Sequence, residues 1–125
     1  MLLVIQILIM RGHINMSTRD VSSKQENFVA LMLGGTTTPN SGAGHTKKGD
    51  ILIDDFGVVE CKTKMKPCTS FSIKKEWIDT VRKEAFEMNR TDWAIVFDFG
   101  VLGDEYAVIP LNDYKEYLEY KRGNK

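Results

Sequence analysis

Cysteine and histidine are scarce in this sequence, with two of each among 125 residues. Cys61 and Cys68 are too few for the disulfide framework of a small secreted protein, and Cys61 falls inside a predicted strand, where a buried thiol is the common outcome. His13 and His45 lie in unrelated segments, so a zinc site would have to gather its ligands from across the chain. Both observations weigh against a disulfide-rich or zinc-binding protein.

Net charge is also absent, since 17 basic residues balance 17 acidic ones. The sequence is therefore not a polycation that binds nucleic acid through its total charge. The distribution is uneven: residues 41–83 carry nine bases and six acids, whereas residues 84–125 carry five bases and nine acids. A locally basic half can bind a polyanion, but ordinary solvated faces explain so small an excess equally well.

A hydrophobic run long enough to span a membrane is missing too. The ten residues MLLVIQILIM at positions 1–10 reach about half of the ~20 that a spanning helix needs. Without a preceding positive region or a small-residue cleavage site, they make a poor signal peptide. Residues 1–15 are interpreted as an apolar extension, either an extra strand or the product of an upstream start codon with Met16 as the working start. The second interpretation is favoured, and a soluble, cytoplasmic protein is expected.

Apolar periodicity and turn residues predict one α/β domain over residues 16–125, a mixed sheet flanked by helices in the order α-β-β-α-β-β-α. Ser22 or Ser23 is expected to cap the first helix, and Gly34-Gly35 to stop it. Residues 36–49 form a long segment without periodicity, of a length that is usually functional. The predicted elements are a helix within 16–35, a hairpin over 49–63, a helix over 72–88, strands over 92–99 and 105–110, and a helix over 112–122.

The hairpin GDILIDDFGVVECKT carries charged residues at its open end. If Ile53 pairs with Gly57 around a three-residue turn, Asp50 falls opposite Glu60, and Lys62 joins them two residues further along the same face. The turn is expected to hold Gly57 in the left-handed conformation. The other face is then apolar, whereas a one-residue slip would mix the two faces. The apolar face would consist of Ile51, Ile53, Val59 and Cys61.

Two carboxylates held this close repel each other unless a cation lies between them. Mg²⁺ suits such a pair because it is usually held by one or two carboxylates, with waters and substrate phosphate oxygens completing its shell. A lysine beside the metal can orient a nucleophilic water or offset charge on a reacting phosphate. The combination of two adjacent acids and a lysine therefore predicts phosphodiester hydrolysis by Asp50, Glu60 and Lys62. The alternative is an exposed hairpin with a cross-strand ion pair and no catalytic role.

The pattern Gly49-Asp50, nine residues, Glu60-Cys61-Lys62 resembles the core signature of the PD-(D/E)XK nuclease superfamily, with glycine where the family name has proline. The segment NSGAGHTKKGD before the first acid is similar to the Ser-Gly loop of archaeal junction resolvases and related phage proteins. The resemblance covers roughly residues 22–99. It implies a restriction-endonuclease-like core of order α-β-β-β-α-β, although the sequence shows no clear third strand before the second helix.

The resemblance also implies roles for individual residues. Asp50, Glu60 and the backbone carbonyl of Cys61 would bind metal, with Glu26 of the first helix completing the shell, and Lys62 would be catalytic. For Glu26, a capping box with Ser23 is the alternative. Ser41 would act near the scissile phosphate. The residues implied to bind DNA, with plain solvation as the alternative, are Lys47, Lys48, Lys64, Lys74 and Lys75, and Lys66 continues this basic rim.

Three functions are compatible with these observations. The leading hypothesis is a Mg²⁺-dependent DNA endonuclease of the Holliday-junction resolvase type, with Mn²⁺ able to replace Mg²⁺, acting as a homodimer on branched DNA. An intracellular protein, of phage origin by this resemblance, is expected. A restriction-type or repair nuclease on ordinary duplex DNA is the second, and a non-catalytic DNA-binding subunit with the same fold is the third. The absence of a recognition helix favours readout of DNA shape.

Overall fold

The computed structural model of the protein describes residues 17–38 and 50–123, so the predicted extension at residues 1–15 lies outside it. In these two ranges the chain forms three helices and a five-stranded sheet, in the order α-β-β-β-α-β-β-α. The predicted α/β class and mixed sheet are confirmed. The elements are α1 (Thr18–Leu33), β1 (Thr36–Thr37), β2 (Ile51–Ile53), β3 (Gly57–Lys62), α2 (Lys75–Glu87), β4 (Asp92–Phe97), β5 (Tyr106–Val108) and α3 (Leu111–Gly123).

The five strands lie side by side in sequence order. β3 and β4 are parallel and the other neighbours are antiparallel, because α2 carries the chain back across the sheet between β3 and β4. The predicted order had no strand before the hairpin, and this is wrong because β1 lies there. It consists of Thr36 and Thr37, which pair with Leu52 and Ile51. Two residues carry no detectable period, so only their pairing with β2 identifies them as a strand.

The first helix begins earlier than predicted. Ser17 is its N-cap, and it forms a capping box with Asp20, in which each side chain accepts a hydrogen bond from the backbone N–H of the other residue. Ser22 and Ser23 therefore lie inside α1, and the predicted cap at these positions is wrong. The predicted stop is correct: Gly34 adopts the left-handed conformation at φ 71°.

The sheet has an apolar core on each face. α1 packs on one face, where the predicted apolar side of the hairpin lies, and α2 packs on the other. Leu52 and Val58 belong to the α2 face, as the register required. The core on the α1 face contains Val29, Ala30, Ile51, Val59, Cys61, Ala94 and Val96, with Ile53 partly buried against it. The core on the α2 face contains Val58, Val81, Ala85, Trp93 and Ile95.

The hairpin has the predicted register, with Ile53 opposite Gly57, Leu52 opposite Val58, and Ile51 opposite Val59. The expected left-handed conformation of Gly57 is wrong, since in the described part of the chain the glycines with positive φ are Gly34, Gly100 and Gly103. Gly57 is required for a different reason. A Cβ atom there would collide with the backbone carbonyl of Asp92, which pairs with Gly57 in the parallel strand β4.

The C-terminal helix differs from α1 and α2 because none of its residues is buried. It begins at Leu111, one residue before the predicted start at residue 112. The rings of Tyr114 and Tyr117 are stacked, with their centres 6.1 Å apart, and both residues are about half exposed. No helix among residues 17–38 and 50–123 is both long and apolar enough to cross a membrane.

Candidate active site

The hairpin register brings Asp50 and Glu60 together at the open end of the hairpin. Asp50 precedes β2, and its backbone N–H donates to the Val59 carbonyl at 3.1 Å, which continues the ladder and leaves Asp50 opposite Glu60. The Asp50 side chain is fixed by a second contact, in which the Cys61 N–H donates to Oδ2 at 2.8 Å. The strand that carries Glu60 thus orients the carboxylate of Asp50.

Lys62 lies beside the two acids, as the alternation of β3 predicts. Its Nζ is 3.4 Å from Glu60 Oε2, and each of the two side chains keeps about a quarter of its surface exposed. The same Nζ lies 4.5 Å from the centre of the Trp77 ring. Trp77, in α2, packs against the core on the α2 face, and its ring also supports the ammonium of Lys62 through a cation–π contact.

The environment of the two acids disfavours their charged forms. Burial and the nearby charge of Asp50 raise the pKa of Glu60 to about 7, although Lys62 acts in the opposite direction. Burial also raises the pKa of Asp50, against the hydrogen bond from Cys61 and the charge of Lys62. Two poorly solvated carboxylates that repel each other are the arrangement that a bound cation stabilises.

Glu26, in α1, lies close enough to Asp50 for the two charges to interact. Its pKa is raised to about 7, first by burial and second by the charge of Asp50. A carboxylate in the middle of α1 cannot form the N-terminal capping box with Ser23 that was the alternative, because Ser17 and Asp20 form it. Glu26 is therefore a half-buried acid whose pKa responds to Asp50, but it does not converge with Asp50 and Glu60 into a three-acid metal site.

The donor set suits Mg²⁺ with water ligands better than it suits an all-protein metal cage. Among the residues that the structure describes, no three His, Cys, Asp or Glu side chains converge closely enough to hold a metal. Asp50 and Glu60 supply two hard oxygen donors, the number with which proteins commonly hold Mg²⁺. The Cys61 thiol is not a third donor, because burial and the adjacent acids raise its pKa. Only the Cys61 carbonyl, as the family resemblance implies, remains a candidate on this residue.

The structure describes three of the five lysines implied in DNA binding. Lys64 and Lys74 are exposed, with Nζ 5.2 Å from the Phe71 ring and 5.7 Å from the Trp77 ring, respectively. Both ammonium groups therefore lie near the aromatic side chains around Lys62. Lys75 pairs with Asp79 at 3.0 Å, so part of its charge is neutralised. The remaining predicted site residues, Ser41, Lys47 and Lys48, lie outside the described residues.

A polar network behind the site was not predicted from the sequence. Gln25, which is only 1 % exposed, donates from Nε2 to the Lys62 carbonyl at 2.6 Å. The buried Asp98 and the partly buried Glu105 complete the network. Burial and a hydrogen bond that the protonated carboxyl donates to Asp98 raise the pKa of Glu105 to about 7. The only sign of this network in the sequence was that Gln25 lies four residues before Val29. Residues four apart lie on the same face of a helix, so Gln25 shares the buried face with Val29.

Stability is expected to depend on pH and on Mg²⁺ together. The pKa of Glu26, Glu60 and Glu105 rises from 4.5 to about 7 on folding, so their contribution to stability is fully present below pH 4.5 and is lost as the pH rises through about 7. For Glu60 alone, the free energy of unfolding should fall by on the order of 2 kcal/mol over this pH range, after a discount for solvent screening. Urea denaturation in EDTA should therefore give a lower free energy of unfolding at pH 8 than at pH 5.5, and Mg²⁺ should restore stability mainly at pH 8.

Glu60→Gln separates the contribution of this carboxylate. The variant should show a weaker pH dependence in EDTA and a smaller stabilisation by Mg²⁺ at pH 8, because a neutral amide neither repels Asp50 nor binds the ion as strongly. A stabilisation by Mg²⁺ that is the same in wild type and variant would mean that the ion binds elsewhere.

Comparisons of the chain with protein-family models, with curated proteins and with solved structures find no match in any of the three. The functional argument therefore depends on the geometry of the site.

Proposed function

We propose that this protein is a Mg²⁺-dependent endodeoxyribonuclease of the PD-(D/E)XK type that cleaves branched DNA. The observation that carries the proposal is the placement of Asp50 opposite Glu60, with the Lys62 ammonium 3.4 Å from the second acid. A hairpin whose charges were only solvated would not need two carboxylates with raised pKa values beside a lysine supported by an aromatic ring.

The order of elements gives independent support. From α1 to β4 the chain runs α-β-β-β-α-β, which is the order implied by the resemblance to this superfamily. β1 supplies the strand that the sequence did not reveal. On this proposal Asp50, Glu60 and Lys62 at the open end of the β2–β3 hairpin are the signature residues, and Glu26, whose pKa responds to Asp50, would be the acid from the first helix that the resemblance implies.

The side chains suggest a division of roles in hydrolysis, in which a water oxygen attacks phosphorus and the bond to the leaving deoxyribose oxygen breaks. Bound Mg²⁺ would acidify the attacking water and neutralise charge on the phosphate. Asp50, oriented by the Cys61 N–H, and Glu60 would hold the ion. The Lys62 ammonium can only donate hydrogen bonds, so it would stabilise the negative charge that develops on the phosphate oxygens.

The preference for branched DNA and the homodimer are parts of the same proposal. A four-way junction needs two symmetric cuts, and one chain of this size supplies one site. The exposed face of α3, with the stacked Tyr114 and Tyr117, is the proposed contact between the two copies. Lys64 and Lys74, next to Lys62, are proposed to contact the DNA backbone near the cut.

The test compares a labelled four-way junction with linear duplexes of the same arm sequences, in Mg²⁺, Mn²⁺, Ca²⁺ and EDTA. Cleavage of the junction in Mg²⁺ or Mn²⁺, with little cleavage of the duplexes and none in EDTA, is the expected result. Equal cleavage of linear DNA would favour a duplex nuclease of the restriction or repair type. Binding without cleavage under every condition would leave a DNA-binding subunit and exclude the nuclease.

A further inference from the structure

Gln25 is one of two fully buried polar or charged residues that the structure describes, the other being Asp98. Its side-chain nitrogen Nε2 faces three acceptors: the Lys62 carbonyl at 2.6 Å, Glu105 Oε2 at 3.0 Å and Asp98 Oδ2 at 3.4 Å. An amide nitrogen has two hydrogens, so this donor is fully used inside the protein. The shortest contact is made to the backbone of the proposed catalytic lysine.

The end of β3 is thereby held from two sides. On one side, Gln25 reaches the Lys62 carbonyl from α1; on the other, the Asp98 N–H, which follows β4, contacts the same carbonyl at 3.4 Å. The Asp98 carboxylate is fixed in turn, because Oδ1 accepts from Thr63 Oγ1 at 2.6 Å and from the Gly100 N–H at 2.8 Å. The Lys62 carbonyl and the Thr63 side chain are thus both tied to the core.

An apolar side chain of the same length would fill the space of Gln25 equally well. It would, however, leave the Lys62 carbonyl, Glu105 and Asp98 without this donor in a buried environment. The amide is also adjacent in sequence to Glu26, so the contact that fixes the end of β3 also fixes the turn of α1 that carries the helix-borne acid. One hydrogen bond therefore links the two elements that build the site.

We propose that Gln25 is a positioning residue, which fixes the end of β3 so that the Lys62 ammonium lies between Glu60 and the Trp77 ring. Its effect on cleavage depends on the proposed nuclease function, whereas its effect on the position of Lys62 does not. Displacement of a reacting group by about 1 Å can lower a rate roughly 10²-fold, so kcat is the parameter that should respond.

The test uses Gln25→Met, which keeps length and burial but removes the donor, and Val29→Ala as the matched control on the same face of α1. In a Trp93→Phe background, Trp77 is the only indole in the chain. Its emission then reports the nearby ammonium, and Lys62→Met defines the emission without that charge. Emission of Gln25→Met that moves toward that of Lys62→Met is expected, while Val29→Ala keeps the parent spectrum and only lowers the melting temperature.

In the cleavage assay, Gln25→Met should lose kcat roughly 10²-fold with KM unchanged, whereas Val29→Ala should keep both. Parent-like emission of Gln25→Met would overturn the proposal. An unchanged emission in Lys62→Met would overturn it too, since Lys62 would then not lie on Trp77 in solution. If the wild type cleaves no DNA at all, the nuclease proposal fails, and the emission measurements still decide the role of Gln25.

Discussion

Replacing Asp50 by alanine is expected to lower the rate of DNA cleavage by roughly 10³-fold, the scale on which the loss of one pre-organised electrostatic group is felt. The variant keeps Glu60 and Lys62 but removes the carboxylate that the Cys61 N–H orients at 2.8 Å. With one acid left, the site has lost half of its side-chain oxygen donors for Mg²⁺. Single-turnover cleavage of a four-way junction, with Mg²⁺ varied, measures this loss.

Asp50→Ala should still fold, so a loss of cleavage can be attributed to the site itself. Alanine leaves the Cys61 N–H without its acceptor, at a cost of about 1 kcal/mol, but it also relieves the repulsion between two partly buried carboxylates. Asp50→Asn is the finer probe because its side-chain oxygen can still accept from Cys61 while the charge is gone. Asp55→Ala, exposed in the turn of the same hairpin, is the matched control and should cleave at the wild-type rate. Wild-type cleavage by Asp50→Ala would exclude the proposed site.

Lys62→Met is the second change with a large expected effect, a loss of kcat of roughly 10²–10⁴-fold. Methionine keeps the apolar contact with Trp77 but carries no charge to offset that of the reacting phosphate. Binding of Mg²⁺, measured by calorimetry without DNA, should be retained, because Asp50 and Glu60 remain. Lys62 lowers the pKa of Glu60, so its removal should also move the acidic limb of Mg²⁺ binding to higher pH.

Lys64→Met provides the control for this prediction. Lys64 is exposed beside Phe71 and is proposed to contact the DNA backbone only. Its replacement should weaken DNA binding and reduce the slope of log affinity against log salt by about 0.9, with kcat unchanged. If Lys62→Met instead affects only the salt dependence of binding, Lys62 is a phosphate contact and has no catalytic role.

The hairpin was predictable because its determinants are local. Alternation places successive side chains on opposite faces of a strand, and only one register put Ile51, Ile53, Val59 and Cys61 on one face and the acids with Lys62 on the other. That register, and with it the pairing of Asp50 with Glu60, is the one observed. The start of α1 was not predicted correctly, since several serines near it were plausible caps and Ser17, which forms the capping box with Asp20, lies five to six residues before the predicted caps.

Other parts of the site depend on contacts that no local pattern encodes. β1 is a strand only because β2 pairs with it, and Gly57 is required because the backbone of β4 passes directly beside it. The contact of Trp77 with Lys62 depends on where α2 crosses the sheet. The buried network of Gln25 joins residues 37 or more positions apart.

The sequence by itself determined which residues form the acid–acid–lysine face, since the two-residue repeat of a strand and the length of a turn are properties of neighbouring residues. The tertiary structure alone decided what surrounds that face: the aromatic ring from α2 and the buried amide behind Lys62. These depend on how helices pack on a sheet, and such packing is set by the shape and burial of the whole domain rather than by any short stretch of it.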